Sequence, residues 1–189
     1  MMEDIYLEYI IKRKKTGAQK ALVALVVAGG IAVSLALLAV IYGFALYLSG
    51  TPYGSFTFSI GLVLIALLWY GMYLIISMQN VEYEYILTNS EMDIDKIMSK
   101  KGRKHIVSFD FKEVTICASI TDNEHNHDYK NVTPGKVYNL VGDASMGNVY
   151  YADFPEENTT VRVLFQPTHK MISSARRYNP RNIFVEGDL

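Results

Sequence analysis

The sequence predicts an α+β protein: a two-helix transmembrane hairpin followed by a seven-stranded antiparallel bent sheet or barrel, closed by a C-terminal helix. Three observations predict it. Residues 21–48 and 56–78 contain no charged side chain, and as helices they would extend roughly 42 and 34 Å against a hydrocarbon core of about 30 Å. From Val81 onward the apolar residues recur every second position, the period of half-buried strands. After Pro167-Thr168 a helical period returns once, with Met171, Ala175 and Tyr178 on one stripe. The chain thus divides into an N-terminal segment (1–20), a first span (21–48), an outer turn (49–55), a second span (56–78) and a soluble domain (81–189).

The N-terminal segment MEDIYLEYII places Ile5, Tyr6, Tyr9 and Ile10 at helical spacing, with acids early and Lys12-Arg13-Lys14-Lys15 late. That order suits a helix dipole, so the segment reads as an amphipathic helix, lying on the inner leaflet or docked on the soluble domain. The first span is about twice as long as the apolar region of a cleavable signal and a second span follows it, which favours a membrane anchor. Lys and Arg flank the spans on one side only: Lys12 to Lys20 come before, Lys96 to Lys104 come after, and the connector Ser49 to Ser55 is uncharged. Both termini are therefore expected in the cytoplasm of a two-span protein of the cell membrane. Aromatic residues cluster at the two depths where interfaces should lie.

Neither span holds an ionisable residue, which argues against a transport path through this chain alone. The first span does carry Ala24, Ala28, Ala32 and Ala36, a stripe of small side chains suited to close helix contact in lipid. Its expected partner is the second span, where Gly61 and Gly71 offer smooth surface; a seam between two copies is the alternative.

In the soluble part, VEYEYILT (81–88) alternates apolar and acidic residues, and Asn89-Ser90 turns it into the alternating Met92 to Asp95. Lys101-Gly102 marks a second turn into HIVSFDF, and EVTICASI makes a fourth strand. Residues 121–136 are polar and rich in turn formers, hence a long loop. Val137–Val141, Asn148–Phe154 and Thr160–Phe165 complete seven strands, and the last helix stops at Asn179-Pro180.

This order of strands and closing helix resembles the pleckstrin-homology-like (PH-like) superfold. EYEYILTNSEMDIDKIMSKKGRKHIVSFDF is similar to the membrane-linked PH-like domains of bacteria. The hairpin, this segment and the closing ARRYNPRNIF together resemble a functionally uncharacterised family of small bacterial membrane proteins, over nearly the whole chain. The resemblance implies a binding fold and no particular chemistry. Phosphoinositide-binding PH domains carry basic residues in the first strand pair, whereas here that turn is Asn89-Ser90-Glu91 with Asp93 and Asp95 beyond, so their headgroup specificity does not transfer.

Catalytic residues are not expected. Cys117 is a lone cysteine flanked by apolar residues, so it reads as a buried thiol. His125, His127 and Asp128 could begin a metal site, but a closed one needs further ligands at fixed geometry, and a solvated loop is the simpler reading. Asp93 and Asp95 share the wet face of a strand. No phosphate-binding glycine loop, nucleophile elbow or zinc-protease motif occurs, and neither a cofactor nor a metal is expected.

One feature asks for an acidic partner: KIMSKKGRKH, which holds Lys96, Lys100, Lys101, Arg103 and Lys104. Residues 81–189 contain 13 basic and 16 acidic groups, so nucleic acid is disfavoured. Anionic lipid is the candidate ligand of these five residues, against a simple topology signal that touches nothing. The expected function is a non-enzymatic, membrane-anchored scaffold or regulatory binding unit; the alternative is an accessory subunit of a larger membrane transporter or envelope enzyme.

Overall fold

The computed structural model describes residues 4–99, 102–122, 124–157 and 159–185. It divides into two compact units: Lys15–Asn80, and a discontinuous one that joins the chain up to Lys14 to everything from Val81 onward.

The helical unit is α1 (Gly17–Tyr47) and α2 (Tyr53–Met78). A capping box starts α1: Thr16 Oγ1 accepts the Gln19 N–H at 3.3 Å, and Gln19 Oε1 accepts the Thr16 N–H at 3.1 Å. The two helices meet where glycine removes the side chain. A Cβ at Gly30 would fall on Met72, and one at Gly61 on Ile41. Between these contacts Trp69 Nε1 donates to Ser34 Oγ (3.1 Å), which donates to Gly30 O (2.7 Å). Polar bonds of this kind fix helix register in an apolar solvent. Elsewhere the apolar side chains stay outside, Leu25 at 75 % exposure, whereas a helix on a soluble core buries one face. Both helices are long and apolar enough to cross a membrane.

Ala24, Ala28, Ala32 and Ala36 are all exposed, which corrects the expectation that they pack on the second span. Residues two apart on a helix lie about 200° round from one another. Seating Gly30 and Ser34 against α2 therefore turns the alanine stripe outward.

The second unit contains, among the described residues, eight strands rather than seven. Sheet A has the order β1 (Tyr6–Lys12), β2 (Val81–Thr88), β3 (Glu91–Met98), β4 (Gly102–Asp110), antiparallel throughout. Sheet B has the order β5 (Ile116–Ser119), β7 (Tyr150–Glu156), β8 (Thr159–Phe165), β6 (Lys136–Asn139). The seven strands expected from the alternation correspond to β2 through β8. The eighth, β1, is the segment expected to be an amphipathic helix, and it pairs with β2 from Tyr6↔Thr88 to Lys12↔Glu82. Leu7, Tyr9 and Ile11 alternate as well as Ile5, Tyr6, Tyr9 and Ile10 follow a helical period. The unsatisfied edge of β2 decides between them, because its backbone groups need a ladder. Two smaller corrections follow: β6 runs parallel to β8, and the polar loop contains a short helix α3 (Asn126–Asn131).

The sheets enclose a core in which Tyr85, Leu87, Met92, Ile94, Phe111, Val163 and Phe165 are fully buried. Phe109 stacks on Phe154 at 5.1 Å between centroids, and the Tyr85 hydroxyl donates to Leu140 O at 2.7 Å. Helix α4 (His169–Arg176) is capped by Thr168, whose Oγ1 accepts the Met171 N–H, and it buries Met171, Ile172 and Ala175. The amphipathic stripe accordingly lies against the core, with Tyr178 half-buried past the helix end.

On the far face of sheet B, Arg162 makes a two-pronged pair with Asp153 at 2.7 Å for both bonds. Its third nitrogen donates to Tyr129 O at 2.7 Å, and its plane faces the Tyr129 and Tyr151 rings. This buried pair pins the α3 segment to the sheet. Arg162→Leu should therefore lower stability by about 3–5 kcal/mol in denaturant titration, because Asp153 is left buried without its cation. Replacing both partners with leucine should recover most of that loss.

The interrupted ladder makes a second expectation. Exchanging residues 15–80 for a short Asn-Gly turn should give a soluble, cooperatively unfolding domain, since Lys12 and Glu82 are already cross-strand neighbours. A fragment starting at Val81 should instead lose about 4 kcal/mol or more through the absence of Leu7, Tyr9 and Ile11, seen as aggregation or a depressed melting temperature. Equal stability of the two constructions would mean that β1 contributes no fold energy.

Candidate membrane-facing hairpin

The described part of the basic segment lies on the end of β3 and the start of β4, and the strand register sorts its charges onto two faces. On the outer face of sheet A, Arg103 stands beside Glu84 and Asp95. Arg103 Nη2 lies 2.9 Å from Glu84 Oε1 and 2.8 Å from Oε2, and Nε lies 3.9 Å from Asp95. His105 Nδ1 is 3.0 Å from Asp95 Oδ1, its Nε2 is 3.2 Å from Ser108 Oγ, and Ser108 donates to Asp93. A bulge between Ile94 and Asp95 sets this alignment, by which Asp95 faces His105 while Ile94 faces Val107. Asp93 and Asp95 do share one face, as their spacing implied, and both already have partners there: Arg103 and His105 for Asp95, Ser108 for Asp93.

Glu84 is the buried member of this group. Burial pushes its carboxyl above the ordinary range, a hydrogen bond with Glu8 pushes it further, and Arg103 opposes both. Arg103 is thus committed to its own sheet, which separates it from the other lipid-contact candidates.

The other face differs. Lys96 and Lys104 stand directly opposite each other in the ladder, with Lys104 exposed and Lys96 half-buried beside the core residue Tyr83, its partner on β2. Among the described residues no acid pairs with either. Like charges directly opposite each other destabilise a strand pair, so this end of the hairpin is strained until an anion or water intervenes. Lys100 and Lys101 lie outside the described residues.

A second basic stretch leaves β1 beside its pairing with β2. Lys14 Nζ reaches Asp143 at 3.1 Å and Ser145 Oγ at 2.7 Å, while its backbone N–H donates to Gly142 O at 2.8 Å. Hydrogen bonds from Ser145, then from Lys14, hold the Asp143 carboxyl below its usual range.

The chemical candidates are dispersed. His125 Nδ1 lies 2.7 Å from Asp122 Oδ2 and its ring stacks on Phe184 at 3.6 Å, while His127 meets Asn131. The His125 hydrogen bond holds Asp122 below the usual carboxylate range. Among the described residues no group of three His, Cys, Asp or Glu side chains is placed to hold a metal. Cys117 is wholly buried, and that burial raises its thiol far above the range in which a thiolate forms.

Sequence reasoning missed the buried charges Glu84, Asp153 and Arg162. The signal was present in YYADF and TVRVLF, where a single charge interrupts an apolar run, and interrupted runs of that kind mark a covered sheet face.

No curated protein and no solved structure matches the chain. A family profile described as bacterial PH-like domain (DUF6106) matches residues 3–185, which takes in β1, the helical pair and both sheets, and the chain belongs to that family.

Proposed function

We propose that this protein is a non-enzymatic scaffold or regulatory binding unit, anchored by α1 and α2 across the cell membrane with both termini in the cytoplasm. The observation that carries the reading is the place of the helical pair in the chain. It interrupts a single ladder, leaving after Lys14 and returning at Val81, where Arg13 N–H donates to Val81 O at 2.9 Å. Both connections thus start from neighbouring points of one folded domain, so an even number of crossings is required. The positive flanks, Lys12 to Lys15 and the β3–β4 hairpin, favour the cytoplasmic side.

The lipid contact belongs to Lys96 and Lys104, with Lys100 and Lys101 beside them in sequence. An anionic leaflet supplies the charge that the like pair lacks, at roughly 1 kcal/mol for each cation near the surface. Arg103 and His105 contribute less, because Glu84 and Asp95 already engage them. The accessory-subunit reading has its footing in the outward alanine stripe of α1, and stoichiometric co-purification of a larger membrane protein would favour it.

Topology is checked by single cysteines at Thr51 and Lys130, with the buried Cys117 silent. An impermeant thiol reagent should label Thr51→Cys in intact cells and Lys130→Cys only after permeabilisation. The reverse pattern would place the domain outside.

Lipid contact is checked with the domain that carries a turn in place of residues 15–80. It should bind anionic vesicles in preference to neutral ones and release as salt shortens the screening length from about 10 Å to about 3 Å. Lys96→Glu with Lys104→Glu should weaken binding at least about twentyfold, whereas Arg103→Gln should have a smaller effect. Unchanged binding by the Lys96/Lys104 variant would leave the hairpin as a topology signal.

A further inference from the structure

Four strand edges close the two sheets: β1 and β4 in sheet A, β5 and β6 in sheet B. An open edge offers unpaired N–H and C=O groups to any other strand, and folded proteins usually blunt it. Edge β5 is occupied by the chain itself, because Cys117 N–H donates to Asn182 O and Phe184 N–H to Cys117 O, both at 2.8 Å. Edge β6 has only four residues. Edge β4 carries a bulge, Arg103 and Lys104. Strand β1 is not occupied, short or bulged among the described residues: it is seven residues long, unbroken in register, carries one acid and one base, Glu8 and Lys12, and shows Tyr6 at 64 % and Ile10 at 46 % exposure.

The direction of its backbone groups follows from the ladder. Asn89 N–H donates to Ile5 O and Arg13 N–H to Val81 O, so odd-numbered residues bond to β2 and even-numbered ones turn to the free side. There, Lys14 N–H is taken by Gly142. No backbone hydrogen bond on that side joins Glu8, Ile10 or Lys12 to any described residue. An open groove of about 470 Å³ runs along the same stretch, from Tyr9 to Lys14, with Asp143 and Met146 as its other wall.

We propose that this edge is an interface between two copies of the chain, whose β1 strands pair antiparallel about a twofold axis at Ile10. In that register Ile10 meets Ile10 of the second copy, and each Glu8 meets the Lys12 of the other, with about six backbone hydrogen bonds between them. The strand is self-complementary only there. Moving the centre by one residue sets Glu8 or Lys12 against Ile10, and moving it by two sets Glu8 against Glu8 or Lys12 against Lys12. The charges are available for the exchange: the Lys12 side chain is 79 % exposed and 4.0 Å from its nearest acid, Glu82. Glu8 shares a hydrogen bond with the buried Glu84 carboxyl and accepts one from the Tyr6 hydroxyl at 3.4 Å, and a second copy's Lys12 would give it a counter-charge.

Cross-linking of the full chain in native membranes tests the register. Ile10→Cys brings the two thiols onto directly opposed residues, whose Cα atoms are about 5.5 Å apart in a bonded pair and within disulfide reach. It should give a covalent dimer on mild oxidation, while Tyr6→Cys, with its copies about 27 Å apart, should not. In detergent, Glu8→Lys or Lys12→Glu should each weaken dimerisation about tenfold or more, and the two together should restore it. A wild-type chain that stays monomeric, equal cross-linking at Tyr6 and Ile10, or a double variant no better than either single one would overturn the proposal.

Discussion

Between Lys12 and Glu82 two strands lie side by side while the whole helical unit intervenes in the chain, and the architecture depends on that ladder. A β-hairpin is normally closed by a few residues; here the closing segment is a pair of apolar helices. The ladder converts the pair from an appendage into an insertion held at both ends. It also supplies the core with Ile11 and the half-buried Leu7 and Tyr9, so the folded domain cannot be cut from the chain at Val81 without loss. As a flexible loop, such an insertion would cost about 2.5 kcal/mol more to close than a four-residue turn, because the entropy grows only with the logarithm of length.

Charge is distributed by the same geometry. Alternation places every acid of β2 and β3 on the outer face of sheet A, where Arg103 lies against Glu84 and Asp95. Among the described residues no acid pairs with the cations that face the other way, Lys96 and Lys104, which stand opposite each other. A segment that is uniformly basic in sequence is therefore divided into a structural half and an open half by the two-residue period of the strand. On sheet B the division is stricter, since α3 covers the outer face and Asp153 has Arg162 as its counter-charge in a place water hardly reaches.

The helical pair obeys a different rule. In an apolar solvent burial of apolar surface gives no driving force between helices, and contact depends on small residues and a few hydrogen bonds. Gly30, Gly61, Ser34 and Trp69 provide these, while the longer alanine stripe points away. A stripe of small residues allows close approach without selecting a partner, whereas the Ser34–Trp69 bond specifies one.

The sequence by itself determined the two apolar helices, the seven strands from Val81 to Phe165 and the capping helix. Each of these is set by a local period and by local start and stop signals such as Thr168 and Asn179-Pro180. It also marked the basic turn, since five cations in ten residues need no fold to be seen. Only the tertiary structure decided what residues 6–12 become, because Ile5, Leu7, Tyr9, Ile10 and Ile11 fit a helical and a two-residue period alike, and the empty edge of β2, more than seventy residues away, breaks the tie. It likewise decided which cations of the turn remain open and which face of α1 meets α2. Those outcomes rest on cross-strand and interhelical partners that no local period encodes.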